Sequence, residues 1–180
     1  TLDRIVSLQD YEDFTRSFAG IGKAQAVWLW DGEMRLVHIT VAAANGDNVN
    51  ETSDLYKNLR RAIEAAGNAR QRVRIDSYQP LRFNGEAKIL AKPQYIQEKV
   101  WRAIIDTLRN VYSFKQRDLG QAVTKSEILA LIQGVEGVEA ADLDFLYFEK
   151  KDRELKPWLP AQIAHWDEDK IKPAELLVLN

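Results

Sequence analysis

The sequence contains no cysteine, and this absence excludes several kinds of chemistry at once. Without a thiol the chain can form no disulfide, no thiolate metal site and no thiol nucleophile. No apolar run approaches the ~20 residues that a membrane-spanning helix needs. An excess of charge is also lacking, because 25 basic and 27 acidic residues leave a net charge of −2. The composition therefore predicts neither nucleic acid nor a membrane as a partner.

Catalytic signatures are scarce as well. Of the two histidines, His38 has no second polar group nearby in sequence to act with, so a plain position on a strand face is favoured. His165 stands beside a tryptophan and is interpreted as a contact residue. The sequence shows no glycine-rich phosphate loop, nucleophile elbow or zinc spacing. We therefore expect a protein that is not an enzyme and that holds no metal or cofactor.

What the sequence does contain is a repeated pattern. Residues 7–30 resemble residues 124–147 at an offset of 117 positions, in pattern more than in identity. In each copy a hydroxyl residue precedes an apolar stripe at helical spacing, and a glycine then precedes an alternating strand. The repeat predicts two related units, each built around a capped helix and the strand that follows it.

Periodicity along the rest of the chain completes the predicted architecture. The element order is αββαβ, then βααβ, then an arm without a regular period. This order is typical of the α+β class, with helices layered on small antiparallel or mixed sheets. We divide the chain into a first unit, 1–76, a second unit, 77–149, and an extended C-terminal arm, 150–180. Pro93 is expected in the first turn of the third helix.

The arm carries the clearest signal of binding. Trp158, Leu159 and Trp166 are large apolar residues in a segment of charges and prolines, which indicates docking against a surface. That surface is either the chain's own domain or a neighbouring copy, and the sequence leaves both open. In either case we expect both tryptophans to be substantially buried, because ordering an arm costs ~1–2 kcal/mol per residue.

A loop at residues 114–121 is a second predicted contact. It combines Phe114 with Arg117 and Asp118, and an aromatic residue near an arginine is common among interface anchors. The alternative, slightly favoured, is that Phe114 fills its own core while Arg117 and Asp118 hold the loop together.

A run of arginines offers a different function. Its members could track phosphates, although Glu64 and Asp76 dilute the charge and no aromatic platform lies between them. An RNA-binding module is therefore a weak alternative for the function of this chain. A small-molecule-binding regulatory domain is a stronger alternative than RNA binding. The arginines concerned are Arg60, Arg61, Arg70, Arg72 and Arg74.

Several segments together resemble the baseplate protein J-like family. They read Ile-Asp-Ser-Tyr-Gln-Pro at 75–80, Ala-Lys-Ile-Leu at 87–90, Phe-Lys-Gln-Arg-Asp-Leu-Gly-Gln at 114–121 and Val-Glu-Gly-Val at 135–138, followed by Leu-Pro-Ala-Gln, Trp-Asp and Pro-Ala-Glu-Leu-Leu in the arm. The resemblance covers most of the chain and is strongest from about residue 74 onward.

The resemblance implies a structural role without catalytic residues. Such proteins form the baseplate wedge of contractile phage tails and of related extracellular injection systems. The implied partners are other wedge and hub proteins and the chain itself or a paralogue, in an oligomer that is assembled in the cytoplasm and ends in the finished particle. Family members are usually longer and this chain begins with Thr1, so we expect it to be a fragment of a longer protein.

Overall fold

A computed structural model describes residues 5–180, which contain four α-helices and ten β-strands. The helices are α1 (Leu8–Ser17), α2 (Asp54–Ala66), α3 (Gln97–Val111) and α4 (Lys125–Gln133). The longer strands are β1 (Ile21–Trp30), β2 (Arg35–Ala43), β3 (Val73–Ser77), β4 (Gln79–Ala91) and β6 (Val138–Phe148). The shorter strands are β5 (Val123–Thr124), β7 (Trp158–Leu159), β8 (His165–Asp167), β9 (Lys170–Lys172) and β10 (Glu175–Leu179). The predicted α+β class is confirmed.

Side-chain caps begin two helices where the sequence predicted them. The Ser7 hydroxyl accepts a hydrogen bond from the Asp10 amide at 3.1 Å, and the Asp10 carboxylate accepts one from the Ser7 amide at 2.9 Å. The Thr124 hydroxyl accepts from the Glu127 amide at 3.1 Å. These bonds satisfy amides that would otherwise lack a partner in the first turn of a helix. They explain why α1 and α4 start at fixed residues.

The two capped helices lead into their strands through the same kind of turn. Gly20 before β1 and Gly137 before β6 both have φ of 92°, a region that residues with a side chain rarely adopt. Strand pairing then differs, because β1 pairs with the next strand, β2, whereas β6 pairs with the earlier strand β4. The helix–glycine–strand order is thus the same in both segments, while their relation by repetition stays a hypothesis.

The start of α3 corrects one prediction. Pro93 does not lie in the first helical turn, because α3 begins at Gln97. The Tyr95 amide instead donates to the Lys92 carbonyl at 3.0 Å. Pro93 therefore occupies the second position of a β-turn, which its fixed φ suits equally well.

The chain folds into two compact units. The first contains the described residues up to Gln79 together with Gln162–Glu175, and the second contains Pro80–Ala161 and Leu176–Asn180. Residues of the predicted arm therefore belong to both units. Whether 1–76, 77–149 and 150–180 behave as separate domains stays a prediction.

The first unit is built on a mixed three-stranded sheet in the order β1-β2-β3, with β2 antiparallel to β1 and parallel to β3. Successive side chains of a strand point to opposite faces. One face of β2, with Val37, Ile39 and Val41, packs in a core with Leu59 and Ile63 of α2. The helices therefore cover this face of the sheet.

The other face of β2 is buried as well. Leu36, His38 and Thr40 are each at most 1% exposed. The Thr40 hydroxyl accepts a hydrogen bond from the Ala174 amide at 3.0 Å, and the Ala174 carbonyl accepts one from the Gln79 amide at 3.0 Å. The segment Gln162–Glu175, which carries the β8–β9 hairpin, thus lies against this second face.

The second unit has its own sheet in the order β10-β4-β6. Its core combines residues of β4 and β6 with residues of α3 and α4. The small sheet of β5 and β7 joins the start of α4 to the arm, since Val123 pairs with Leu159. Glu175–Leu179 form the strand β10, which pairs with β4 at the edge of this sheet.

The turn before β6 yields a test of this packing. An alanine side chain at Gly137 would be strained at φ of 92° and would lie 2.8 Å from Tyr95 and Val100. We expect Gly137→Ala to lower the free energy of unfolding by about 1–3 kcal/mol in urea denaturation. Gly85→Ala is the matched control, because its new carbon would lie 3.9 Å from Leu143, at ordinary contact distance. Equal stability of the two variants would contradict the argument.

Candidate functional site

The predicted contact loop is held together from within. Arg117 is only 2% exposed and donates to the Ala122 carbonyl at 2.6 Å and the Gln121 carbonyl at 3.3 Å. It also pairs with the Glu127 carboxylate at 3.3 Å and lies over the ring of Tyr112. Burial, followed by the nearby Glu127 charge, raises the pKa of Tyr112, so its hydroxyl stays neutral at physiological pH.

The other two loop residues differ in exposure. Phe114 is partly buried, whereas Asp118 is exposed and its amide donates to the Gln121 side chain at 3.0 Å. The internal bonds of Arg117 agree with the alternative that it staples the loop. An interface role of Phe114, Arg117 and Asp118 stays a prediction.

Arg117 supports a direct stability test. Arg117→Ala would remove the hydrogen bonds to two carbonyl groups and leave the Glu127 carboxylate without its buried partner. We expect a loss of about 3 kcal/mol in the free energy of unfolding, measured by chemical denaturation. Lys115→Ala, at an exposed position of the same loop, is the control and should change stability by less than about 0.5 kcal/mol. Unchanged melting combined with lost assembly would favour the interface interpretation instead.

His38 has a partner that sequence reasoning missed. Its Nε2 lies 2.7 Å from Oδ2 of Asp76, and because a carboxylate only accepts, Nε2 carries the proton. Arg74 donates to the same carboxylate at 2.8 Å. The parallel pairing of β2 with β3 brings these residues together across 38 positions of sequence. The closed setting, with His38 fully buried, suits a structural role rather than proton transfer to a substrate.

The cluster of His38, Arg74 and Asp76 makes the stability of the protein depend on pH in the acid range. Burial would raise the pKa of Asp76, but hydrogen bonds from His38 and Arg74 outweigh burial and hold the pKa below its ordinary value. A carboxyl with a lowered folded-state pKa stabilises the protein above its unfolded-state pKa of ~4, and this contribution is lost as pH falls.

We therefore expect Asp76→Asn to be less stable than the parent by about 1.5–3 kcal/mol at pH 7, because hydrogen bonds to a charged group are removed. The difference should shrink as pH falls below ~4, because the unfolded parent then takes up a proton that the folded carboxyl accepts only at lower pH. Urea denaturation between pH 7 and pH 3 measures it. The control Asp106→Asn, at an exposed residue, should show neither effect. A gap that is constant with pH would contradict the assignment.

The arginine run does not form a free basic surface. Arg60 pairs with Glu64 at 2.9 Å, Arg72 with Asp31 at 2.9 Å, and Arg74 with Asp76 at 2.8 Å. These acids neutralise three of the five arginines, which weakens the case for phosphate tracking.

The arm residues have unequal exposure. Leu159 is fully buried, whereas Trp158 is 52% and Trp166 38% exposed. Trp166 lies against the β1–β2 turn. Its ring is 3.6 Å from the position that a Cβ atom would occupy at Gly32. Substantial burial of both tryptophans on this chain alone is therefore not observed. Burial of Trp158 and Trp166 on a neighbouring copy stays a prediction.

The second unit contains an apolar cavity of about 330 Å³ between α3 and β4. Polar side chains at the rim of the cavity already bond to other residues of the chain. Glu86 bonds to Arg153 and Tyr147, and Asn84 bonds to Asn180. A ligand site normally adds polar groups that converge on the ligand, and this cavity offers few. Trp101, 46% exposed, stands at its edge.

A second group of exposed aromatic residues lies on β1. Trp28 is 39% and Trp30 57% exposed, and the guanidinium of Arg35 lies 4.2 Å from the Trp28 ring centre. The alternating pattern predicts both tryptophans in the strand, but it does not mark them as surface residues. Element lengths could have done so, because a helix of ten residues spans ~15 Å and a strand of ten residues ~33 Å. The helix α1 can therefore cover only about half of β1.

Two kinds of feature are missing from the part of the chain that the structure describes. None of the helices in residues 5–180 has the length and apolar character needed to cross a bilayer. Within the same residues, no group of three or more histidine, aspartate or glutamate side chains is arranged to hold a metal ion.

Comparison with known proteins relates part of the chain to a known family. Residues 3–76 match the model of the Baseplate J-like central domain. The cryo-EM structure of the anti-feeding prophage baseplate, six-fold symmetrised, contains a chain that superposes with a TM-score of 0.73 at 9% identity. The superposition covers 100% of this chain and 38% of that one. Among curated proteins, none matches the sequence significantly.

The match relates residues 3–76, less than half of the chain, to the baseplate J-like family, and the resemblance drawn from the sequence is confirmed. The family match falls on residues 3–76, whereas most motifs that carried the resemblance lie after residue 74. At 9% identity, the structural likeness establishes the fold. The chain spans 38% of the length of the baseplate chain that it resembles.

Proposed function

We propose that this chain is a structural component of the baseplate of a contractile tail or contractile injection system. The observation that carries the proposal is the match of residues 3–76 to the Baseplate J-like central domain. The fold likeness of the whole chain to part of an anti-feeding prophage baseplate protein supports it. The chain acts through contacts with other baseplate proteins and not through catalysis.

The partners in this proposal are neighbouring wedge and hub proteins and the chain itself or a paralogue. Assembly takes place in the cytoplasm, and the protein then remains in the finished particle. The buried polar clusters around Arg117 and His38 are consistent with this role, because both hold the fold together instead of opening onto a cleft. The apolar cavity is the observation that favours a small-molecule domain, and its engaged polar rim makes that function the weaker candidate.

Gene deletion tests the proposal. A strain that produces contractile particles and carries this gene should, after deletion, yield sheaths and tubes without baseplates in electron micrographs, and the intact gene should restore them. Neighbouring genes for sheath, tube and spike proteins would agree with the proposal. Intact particles in the deletion strain, or a location in a metabolic operon, would contradict it.

Trp158 tests the predicted arm interface. Because its side chain is 52% exposed and thus half buried on this chain, Trp158→Ala should lower the free energy of unfolding by about 1–3 kcal/mol, no more than truncation of a similarly exposed tryptophan elsewhere, while specifically reducing incorporation into particles. The measurement pairs thermal melting of the chain with quantitative blotting of purified particles. Trp101→Ala, also exposed but outside the predicted interface, is the control. Normal incorporation of the Trp158 variant would exclude this tryptophan as a contact.

A further inference from the structure

The outer edge of β1 has backbone groups that face away from the sheet. The Val37 amide donates to the Arg72 carbonyl at 3.0 Å, so the backbone of Val37 faces β3. Trp28 is the antiparallel partner of Val37, and it therefore belongs to a pair that exchanges no hydrogen bonds. The amide and carbonyl of Trp28 consequently point outward, and so do those of Trp30, two residues further along.

The first half of this edge is already covered. The Glu12 carboxylate accepts a hydrogen bond from the Ala26 amide at 3.1 Å, and Arg16 donates to the Ala24 carbonyl at 3.4 Å. Both side chains come from α1 and pair with each other. An edge strand that is capped by charged side chains cannot accept another strand there. The available edge therefore begins at Trp28.

The side chains around the open edge have the composition of a binding site. Trp28 and Trp30 point to the same face and are 39% and 57% exposed. Arg35 stacks on Trp28, and within residues 5–180 no carboxylate lies within ion-pair distance of its guanidinium. Tryptophan and arginine are enriched where proteins bind one another.

We infer that residues 28–30 of β1 accept an extended, acidic segment of a partner protein as an additional β-strand. The outward amides and carbonyls alternate at strand spacing, a pattern that only another extended peptide backbone matches along its length. The exposed tryptophans pack against apolar side chains of the added strand. Arg35 selects a segment with a carboxylate, because its charge meets no carboxylate in the described part of this chain. This inference deepens the proposed function by naming the surface and the chemistry of the partner.

Synthetic peptides provide the probe. The first is a capped eight-residue peptide that alternates valine with threonine or glutamate. The second replaces each glutamate with lysine, and the third is the acidic peptide with alternate amides N-methylated on the edge that would face β1. Binding to the full chain is followed by NMR shifts of the Trp28 and Trp30 indole and backbone amides, and by hydrogen exchange of those amides.

The acidic peptide should slow exchange at Trp28 and Trp30 and bind at least tenfold more tightly than the other two peptides. Arg35→Ala should bring the acidic and basic peptides to similar affinity. The double variant Trp28→Ala with Trp30→Ala should weaken binding at least tenfold, while Trp101→Ala leaves it unchanged. Thermal melting of each variant checks that the fold is intact.

Three results would overturn the inference: no binding of the acidic peptide at millimolar concentration, equal binding of the N-methylated peptide, or shifts that map away from residues 28–30. Particle formation tests the proposed function separately, because it does not depend on these peptides. Either idea can therefore fail while the other stands.

Discussion

The first unit depends on the burial of both faces of β2. A strand that is buried on one face only can carry polar residues on its other, solvent-exposed face. In β2, however, Leu36, His38 and Thr40 on the second face are as fully buried as Val37 and Ile39 on the first. Burying an imidazole and a hydroxyl without hydrogen bonds would be costly. Asp76 on β3 bonds to Nε2 of His38, whose Nδ1 has no partner among the described residues, and the Ala174 amide bonds to the Thr40 hydroxyl. The polar residues on this buried face therefore link β2 both to β3 and to Gln162–Glu175.

A similar principle organises the loop before α4. The guanidinium of Arg117 enters an apolar setting only because two loop carbonyls and Glu127 receive its hydrogen bonds. A buried charge with such partners fixes the loop in one conformation. The exposed aromatic residues of the described chain lie away from this loop. They lie on β1, on α3 and in the arm.

Local features of this fold could be read from the sequence, whereas long-range ones could not. The caps at Ser7 and Thr124 and the glycines at 20 and 137 act within a few residues, so their signals are visible in a short window. The His38–Asp76 pair depends on which strands become neighbours, and the order of elements along the chain does not decide this. The segment Gln162–Glu175 showed no period because its strands β8 and β9 are each only 3 residues long. The exposure of the edge tryptophans depends on how far α1 reaches along β1, which no short window reveals.

The division of the late chain between two units has a consequence for synthesis on the ribosome. The first unit needs residues from Gln162–Glu175, so it cannot be completed when the chain has emerged only as far as Gln79. Until then one face of β2 lacks its cover and exposes apolar surface. The hydrogen bond between Thr40 and Ala174 spans 134 positions, and such distant contacts slow folding because the chain between them must first be brought together. We therefore expect the first unit to reach its final structure only after residues 162–175 have left the ribosome, long after its first strands have been made.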